Sequence, residues 1–260
     1  MTAKPAKSFQ FMPEDVMLVQ KYIEAYPDQT LHIPGLRAAL TSARISRLKP
    51  DDIKTFDLPD SRDLIENTIE HNVQALKQAS ALARPDILIR PITSTNFFRV
   101  NARALKVLTI GPRTESEIFA LLSVGFAPQN VTGLDLISYS PFVDLGDMHA
   151  MTYPDNSFDV IVLGWVLGYS QNVPKAVAEI LRVAKPGAYI AIGHENDPTP
   201  RETLDEHRGF SLRGTDFSTS DEILALFDGH VDSVTFREDV HPTMTDQVCH
   251  VMVVFRLKDS

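Results

Sequence analysis

From about residue 104 onward, short apolar runs alternate with segments of helical spacing. "LKVLTI" (105–110), "VTGLDLI" (131–137), "DVIVLGWVL" (159–167) and "AYIAIG" (188–193) are β-rich. The third of these shows no polar alternation, as expected of a strand covered on both faces. Helices are predicted over "ESEIFALLSVGF", "PKAVAEILRVA" (174–184) and "STSDEILALFDG" (218–229). The second has Pro near its start and "KPG" at its end, which are helix punctuation signals. "HVDSVTFRED" and "CHVMVVFRLK" read as a terminal strand pair. Such alternation predicts a mostly parallel sheet with helices on both faces, binding ligands at the carboxyl ends of its strands.

The first hundred residues carry a different rhythm. "PEDVMLVQKYIEAY" places Val16, Val19, Tyr22 and Ile23 at helical spacing. "SRDLIENTIEHNVQALKQASALA" (61–83) is the clearest helix, with Ser61 as cap, Pro85 beyond its end, and Ile65, Ile69, Val73 and Leu76 on one face. "PDQTLHIPG" and "LKPDDIKTFDLPDS" read as loops. Two units are therefore expected: a helical N-terminal extension over 1–103, and an α/β unit over 104–260.

Composition narrows the function classes. The 260 residues are 43% hydrophobic and 23% charged, with a formal net charge of −9, so a packed core is expected. The acidic balance argues against nucleic acid or an anionic membrane as partner. The single cysteine, Cys249, forms no intrachain disulfide and no cysteine metal cluster. The opening residues lack the apolar core of a secretion signal, and the longest uncharged apolar run, Val160 to Tyr169, is about half the ~20 residues of a membrane helix. A cytoplasmic protein is expected.

The candidate chemistry starts at "VLTIGPRTESE" (107–117). Thr114 and Glu117 match the Ser/Thr-x-x-Glu capping box, so the turn between strand and helix is Gly111-Pro112-Arg113. One glycine is weak evidence for a nucleotide site. Asp135, 24 residues after Gly111, stands at the end of the second strand. An acid about 20 residues past such a turn holds a ribose diol in nucleotide-binding α/β folds. Asp147 follows at a third strand end.

The order of these pieces, with "GDMHAMTYPDNSFDVIVLGWVLGY" and "EILRVAKPGAYIAI", resembles the class I S-adenosylmethionine-dependent methyltransferases over roughly residues 104 to 256. The resemblance implies a Rossmann-like, seven-stranded, mostly parallel sheet ending in an antiparallel strand pair. It implies S-adenosylmethionine as cofactor and methyl transfer to an O or N atom of a small-molecule acceptor. By the same resemblance Gly111 approaches the methionine part, Asp135 holds the ribose, Asp147 accepts from the adenine amino group with Met148 against the ring, and residues around Gly164 and Trp165 line the methyl-donor side; Pro112, Leu136 and His149 complete the expected cofactor-binding residues. Arg113 stands where the family commonly has its second glycine, and its guanidinium suits the cofactor carboxylate.

Three departures from the family matter. Thr109 stands where an acid often ends the first strand, and Glu115 replaces the third glycine. Only 11 residues separate Asp135 from Asp147, so the third strand must be short, within "FVDLG", and the crossover lacks a helix. The N-terminal helices are expected to cover the exposed face or the cofactor. A general base, if the acceptor needs one, is sought first at His194 and Glu195 in "GHEND", then at His149; each also suits a local hydrogen-bonding role. Phe97 and Phe98 either line the pocket mouth or pack the helical segment on the sheet. No metal motif is present in the sequence. The competing readings are a non-catalytic binding or scaffold protein of this fold and a NAD-dependent oxidoreductase, against which the single glycine counts.

Overall fold

The computed structural model describes residues 12–56, 84–199 and 214–259. The helix expected over 61–83 lies outside the described residues.

The elements, numbered here in chain order, are helices α1 (Pro13–Ala25), α2 (Pro34–Ile45), α3 (Arg84–Thr93), α4 (Asn96–Asn101), α5 (Glu115–Ser123), α6 (Val173–Val183) and α7 (Ser220–Ala225). The strands are β1 (Lys54–Thr55), β2 (Val107–Ile110), β3 (Val131–Asp135), β4 (Ile137–Ser138), β5 (Val143–Leu145), β6 (Phe158–Gly164), β7 (Ala184–Asn196), β8 (Val231–Glu238) and β9 (Cys249–Leu257). Seven of these strands form one sheet in the order β5-β3-β2-β6-β7-β9-β8. Pairing is parallel from β5 through β7 and antiparallel for β7–β9 and β9–β8. The Rossmann-like seven-stranded sheet and its terminal strand pair are as the sequence predicts.

The absence of polar alternation in β6 has a direct packing cause. Leu108, Ile110, Ile161, Leu163, Ile190 and Ile192 face one core, shared with Val177, Ile180 and Phe227. Val107, Val160, Val162 and Ala191 face a second core, shared with Leu88, Ile89, Ile92 and Phe98. Successive strand residues point to opposite faces, so a strand between two cores must be apolar throughout. Phe98 is buried edge-on to Tyr189, and Phe97 stacks on the same ring, so this pair packs the helical segment against β7.

Four expectations need correction. "PDQTLHIPG" is not a loop: residues Pro27–His32 form a 3-10 turn, and Pro34 is the first residue of α2. Proline fits there because its missing N–H has no partner at a helix start. The strand expected over 188–193 is longer, since β7 runs to Asn196 and contains His194 and Glu195. β6 ends at Gly164, with Leu167–Tyr169 a 3-10 turn. The capping box forms only in part, as described below.

The shortened crossover is real. β5 has three residues and pairs from Gly133↔Val143 to Asp135↔Leu145. The chain must therefore travel back only two residue heights, about 7 Å, and needs no helix. The N-terminal segment meets that crossover: β1 pairs antiparallel with β4, and Phe56 N–H donates to the Leu136 carbonyl at 2.8 Å. α2 lies against α5 through two arginines. Arg37 donates to Ser123 Oγ at 3.3 Å near the end of α5, and Arg44 pairs with Glu115 at its start. Seven residues apart, they lie on one helix face. α1 is different: Val16, Met17, Leu18 and Tyr22 are exposed.

Candidate active site

β2 has β3 on one side and β6 on the other, so strand order reverses there. The carboxyl edge beside such a switch point is where open α/β sheets take ligands. The turn after β2 is tight. Gly111 has φ +70° and donates its N–H to the Leu134 carbonyl at 2.8 Å. A Cβ on Gly111 would run into Val166 Cγ1, so glycine is required by close packing as well as by dihedral. Arg113 has φ +29°, and its N–H donates to Asp135 Oδ2 at 3.2 Å.

Thr114 caps α5, but its hydroxyl oxygen accepts from Ser116 N–H at 3.3 Å. Glu117 does not reach back to complete a capping box. Its side chain turns inward, is 6% exposed, and accepts a hydrogen bond from the Thr109 hydroxyl. Burial pushes its carboxyl up to about 7; the Thr109 bond opposes this and the nearby Asp135 charge adds to it. A Cβ built on Gly164 would lie 3.1 Å from Glu117 Oε2, so this carboxylate faces the bare end of β6. A buried carboxylate beside Thr109 of β2 thus comes from the first turn of α5.

Asp135 ends β3 and is buried. Its Oδ1 accepts from Ile137 N–H at 3.3 Å and its Oδ2 from Arg113 N–H. Burial pushes this carboxyl up to about 6, against the backbone bonds and the Arg113 charge. Glu115, 1% exposed, is held by Arg44 through Nε and through Nη2 at 2.9 Å, and by the Ser140 hydroxyl at 2.7 Å. Its own N–H donates to Tyr139 Oη at 3.1 Å. A shallow cleft of about 10 Å³ between the turn and residues 137–140 includes Arg113, Asp135 and Tyr139 in its lining. Ordinary ligand pockets measure ~300–1,000 Å³, so this depression does not by itself hold a cofactor.

The loops after β5 and β6 are clasped together. His149 Nδ1 lies 2.6 Å from Asp147 Oδ1, and its Nε2 lies 2.7 Å from Ser170 Oγ. Asp147 Oδ1 also accepts the His149 N–H at 3.0 Å, and Ser170 Oγ accepts the Asn172 N–H at 3.2 Å. Burial alone would raise the Asp147 carboxyl, but the bonds and charge from His149, with Lys175, outweigh it and hold the group below its ordinary value. Met148 packs against the larger core, and Leu136 is half-buried.

Period two along β7 separates the other two candidates. His194 is buried on the face of Ile190 and Ile192, and its Nε2 accepts from Phe217 N–H at 3.2 Å. Glu195 lies on the opposite face, opposite His250 across the β7–β9 pair. Trp165 sits there too. It has φ +63°, its N–H donates to the Gly193 carbonyl at 2.9 Å, and its Nε1–H donates to His250 Nδ1 at 2.9 Å. A large residue in the left-handed region costs about 1–3 kcal/mol and points to a functional constraint. The structure therefore gathers Gly111, Pro112, Arg113, Asp135 and Gly164 at the switch point, and Asp147, Met148 and His149 on the adjoining loop. His194 stands two strands away from β2. Among the described residues no helix is long and apolar enough to cross a membrane, and no three His, Cys, Asp or Glu side chains group to hold a metal.

Glu117, Ser170 and His250 are not among the site residues expected from sequence. For Glu117 a signal existed: Thr109 in place of an acid, with an acid eight residues on that the capping-box reading had absorbed.

Residues 108–192 match a family model described as a methyltransferase domain. The chain is similar to the demethylmenaquinone methyltransferase of Symbiobacterium thermophilum, 36% identical over 70 residues, which are 25% of this chain and 28% of that protein. It is similar to the 2-phytyl-1,4-naphtoquinone methyltransferase of Synechocystis sp., 43% identical over 47 residues, 18% of this chain and 20% of that one. These matches span less than a third of the relatives' length. In fold it is similar to the 1,6-didemethyltoxoflavin-N1-methyltransferase of Burkholderia thailandensis, with a TM-score of 0.52 and 14% identity, covering 80% of this chain and 95% of that one. The match to a methyltransferase domain thus falls on β2 through β7 of the observed sheet.

Proposed function

We propose that the domain binds S-adenosylmethionine across the carboxyl edge of its sheet and transfers the methyl group to a small-molecule acceptor. The observation that carries this is the placement of Asp135 and Glu117, two buried carboxyls, at the switch point of a methyltransferase-domain fold. The cofactor carries no pyrophosphate; it has a ribose diol, an ammonium and a positive sulfur. Asp135 suits the ribose of either cofactor, whereas Glu117, buried beside the glycine turn, suits the ammonium-bearing ligand and opposes a pyrophosphate. When bound, the cofactor supplies a methyl carbon made electrophilic by that sulfur.

The Asp135 carboxylate accepts the backbone N–H groups of Ile137, Leu136 and Arg113, and the remaining one of its about four lone-pair sites suits a ribose hydroxyl. Asp147, Met148 and His149 then meet the adenine, with Leu136 beside it. Gly111 and Pro112 approach the methionine part, and the Arg113 guanidinium takes its carboxylate. Gly164 and Trp165 border the methyl group. In-line displacement needs alignment and exclusion of water more than proton transfer. Where an acceptor must lose a proton, Glu195 is the best-placed candidate, because it lies on the Trp165 side of the sheet. The Nε2 of His194 and both nitrogens of His149 are taken up by hydrogen bonds. The acceptor atom is O or N, or an electron-rich ring carbon of the quinol kind that the relatives' names suggest.

The test is calorimetry with S-adenosylmethionine, S-adenosylhomocysteine and NAD, followed by turnover on a panel of phenols, amines and demethylmenaquinol. Binding of the adenosyl ligands alone is expected, with Arg113→Ala weakening it roughly tenfold or more. Binding of NAD alone, or of none, would reject the reading.

A further inference from the structure

We propose that Glu117 recognises the ammonium of the cofactor's amino-acid end, supplying from α5 the acid that β2 lacks. The inference rests on the adenosyl-cofactor reading above and deepens it. The carboxylate lies beneath the switch point, with Thr109 of β2 on one side and the bare Cα of Gly164 on the other. No side chain at position 164 stands between Glu117 Oε2 and the end of β6.

The electrostatics of this position are incomplete without a cation. The hydrogen bond to Glu117 comes from a neutral hydroxyl, and the charged group acting on it is another acid, Asp135. The nearby cations act elsewhere: Arg44 is bonded to Glu115, and Arg113 acts on Asp135. A buried carboxylate in such surroundings is costly unless paired and hydrogen-bonded. An ammonium brings both a charge and N–H donors, whereas a sulfonium brings a charge and no donor. Glu117 is therefore suited to the ammonium rather than to the sulfur.

The site also makes a proton prediction. The carboxyl is pushed up to about 7 by burial, so near neutral pH about half the ligand-free molecules hold it protonated. An arriving ammonium favours the ionised form, and about half a proton leaves on binding at pH 7.

The experiment compares S-adenosylhomocysteine with its desamino analogue, in which hydrogen replaces the amino group, using wild type and Glu117→Gln. Glu117→Gln is expected to weaken S-adenosylhomocysteine by roughly tenfold or more, the size of a lost charge-assisted hydrogen bond. It should leave the analogue unchanged within about twofold. Calorimetry of the wild type in two buffers of different ionisation heat gives a second reading that needs no variant. S-adenosylhomocysteine should release more protons than the analogue, which cancels any contribution from Asp135. Equal weakening of both ligands, no weakening of either, or equal proton release would overturn the proposal. A wild-type protein that binds neither ligand would overturn the cofactor reading itself, and this assignment with it.

Discussion

Replacing Glu117 by glutamine should make the ligand-free protein more stable at high pH. The unfolded carboxyl ionises near 4.5, whereas burial keeps the folded one protonated up to about 7. Between those values the folded state holds more protons than the unfolded state, so stability falls as pH rises. The contribution is fully present below 4.5 and is lost once pH passes the folded value. A displacement of about 2.5 pH units at 1.36 kcal/mol per unit gives roughly 3 kcal/mol at full size. Glutamine still accepts the Thr109 hydroxyl but cannot ionise, and its amide needs a partner of its own. The net gain expected at pH 8 is therefore about 2 kcal/mol. For a chain of this size that is a rise of roughly 4–8 °C in Tm. Thermal and urea melts of both proteins at pH 4.5 and pH 8 provide the assay. The curves should converge in acid and separate in base. A variant equally or less stable at pH 8 would refute the reasoning, because it would mean that the carboxylate is already well paired or solvated.

Three further outcomes follow from the same geometry. Arg44→Ala leaves Glu115 buried with the Ser140 hydroxyl; because Arg44 is itself about half exposed, the loss should be about 2 kcal/mol, below the 3–5 typical of fully buried pairs, and a double-mutant cycle with Glu115→Gln measures it. Gly111→Ala should destabilise by at least ~2 kcal/mol through its positive φ and its collision with Val166, and urea melts should show partial rescue by Val166→Ala. His149→Ala should weaken S-adenosylhomocysteine binding roughly tenfold by releasing the Asp147 carboxylate, and adding Ser170→Ala should cost little more, since the two act as one chain of bonds.

The parts of the fold that were legible in the sequence are those whose cause is local. β6 and β7 announce themselves because burial on both faces removes polar residues. Thr114 was readable as a cap because the cap bond spans two residues. The partner assigned to it was not, because Thr-x-x-Glu does not say whether the acid folds back over the helix end or turns under the strand; burial against Thr109 decided that. α2 was missed because Pro34 and Gly35 look like a turn in sequence, while a first-turn proline suits a helix. β1 and β4, two residues each, carry no periodicity at all. The Arg44–Glu115 and His149–Ser170 contacts join residues 71 and 21 positions apart, and no local pattern encodes them. The cofactor residues were proposed from resemblance; His194 and Glu195 looked equivalent in sequence until the strand placed them on opposite faces.

The pairing of β1 with β4 also sets an order of events during synthesis. Lys54 finds Ser138 only after about 80 further residues have been added, roughly 4–16 s of translation. Until residues 115 to 123 are made, α2 has neither Glu115 nor Ser123 to hold, and the apolar residues around it face water or a chaperone. The nascent N-terminus must wait for the sheet to exist, so slowing the ribosome between codons 56 and 138 should increase aggregation of this protein rather than help it fold.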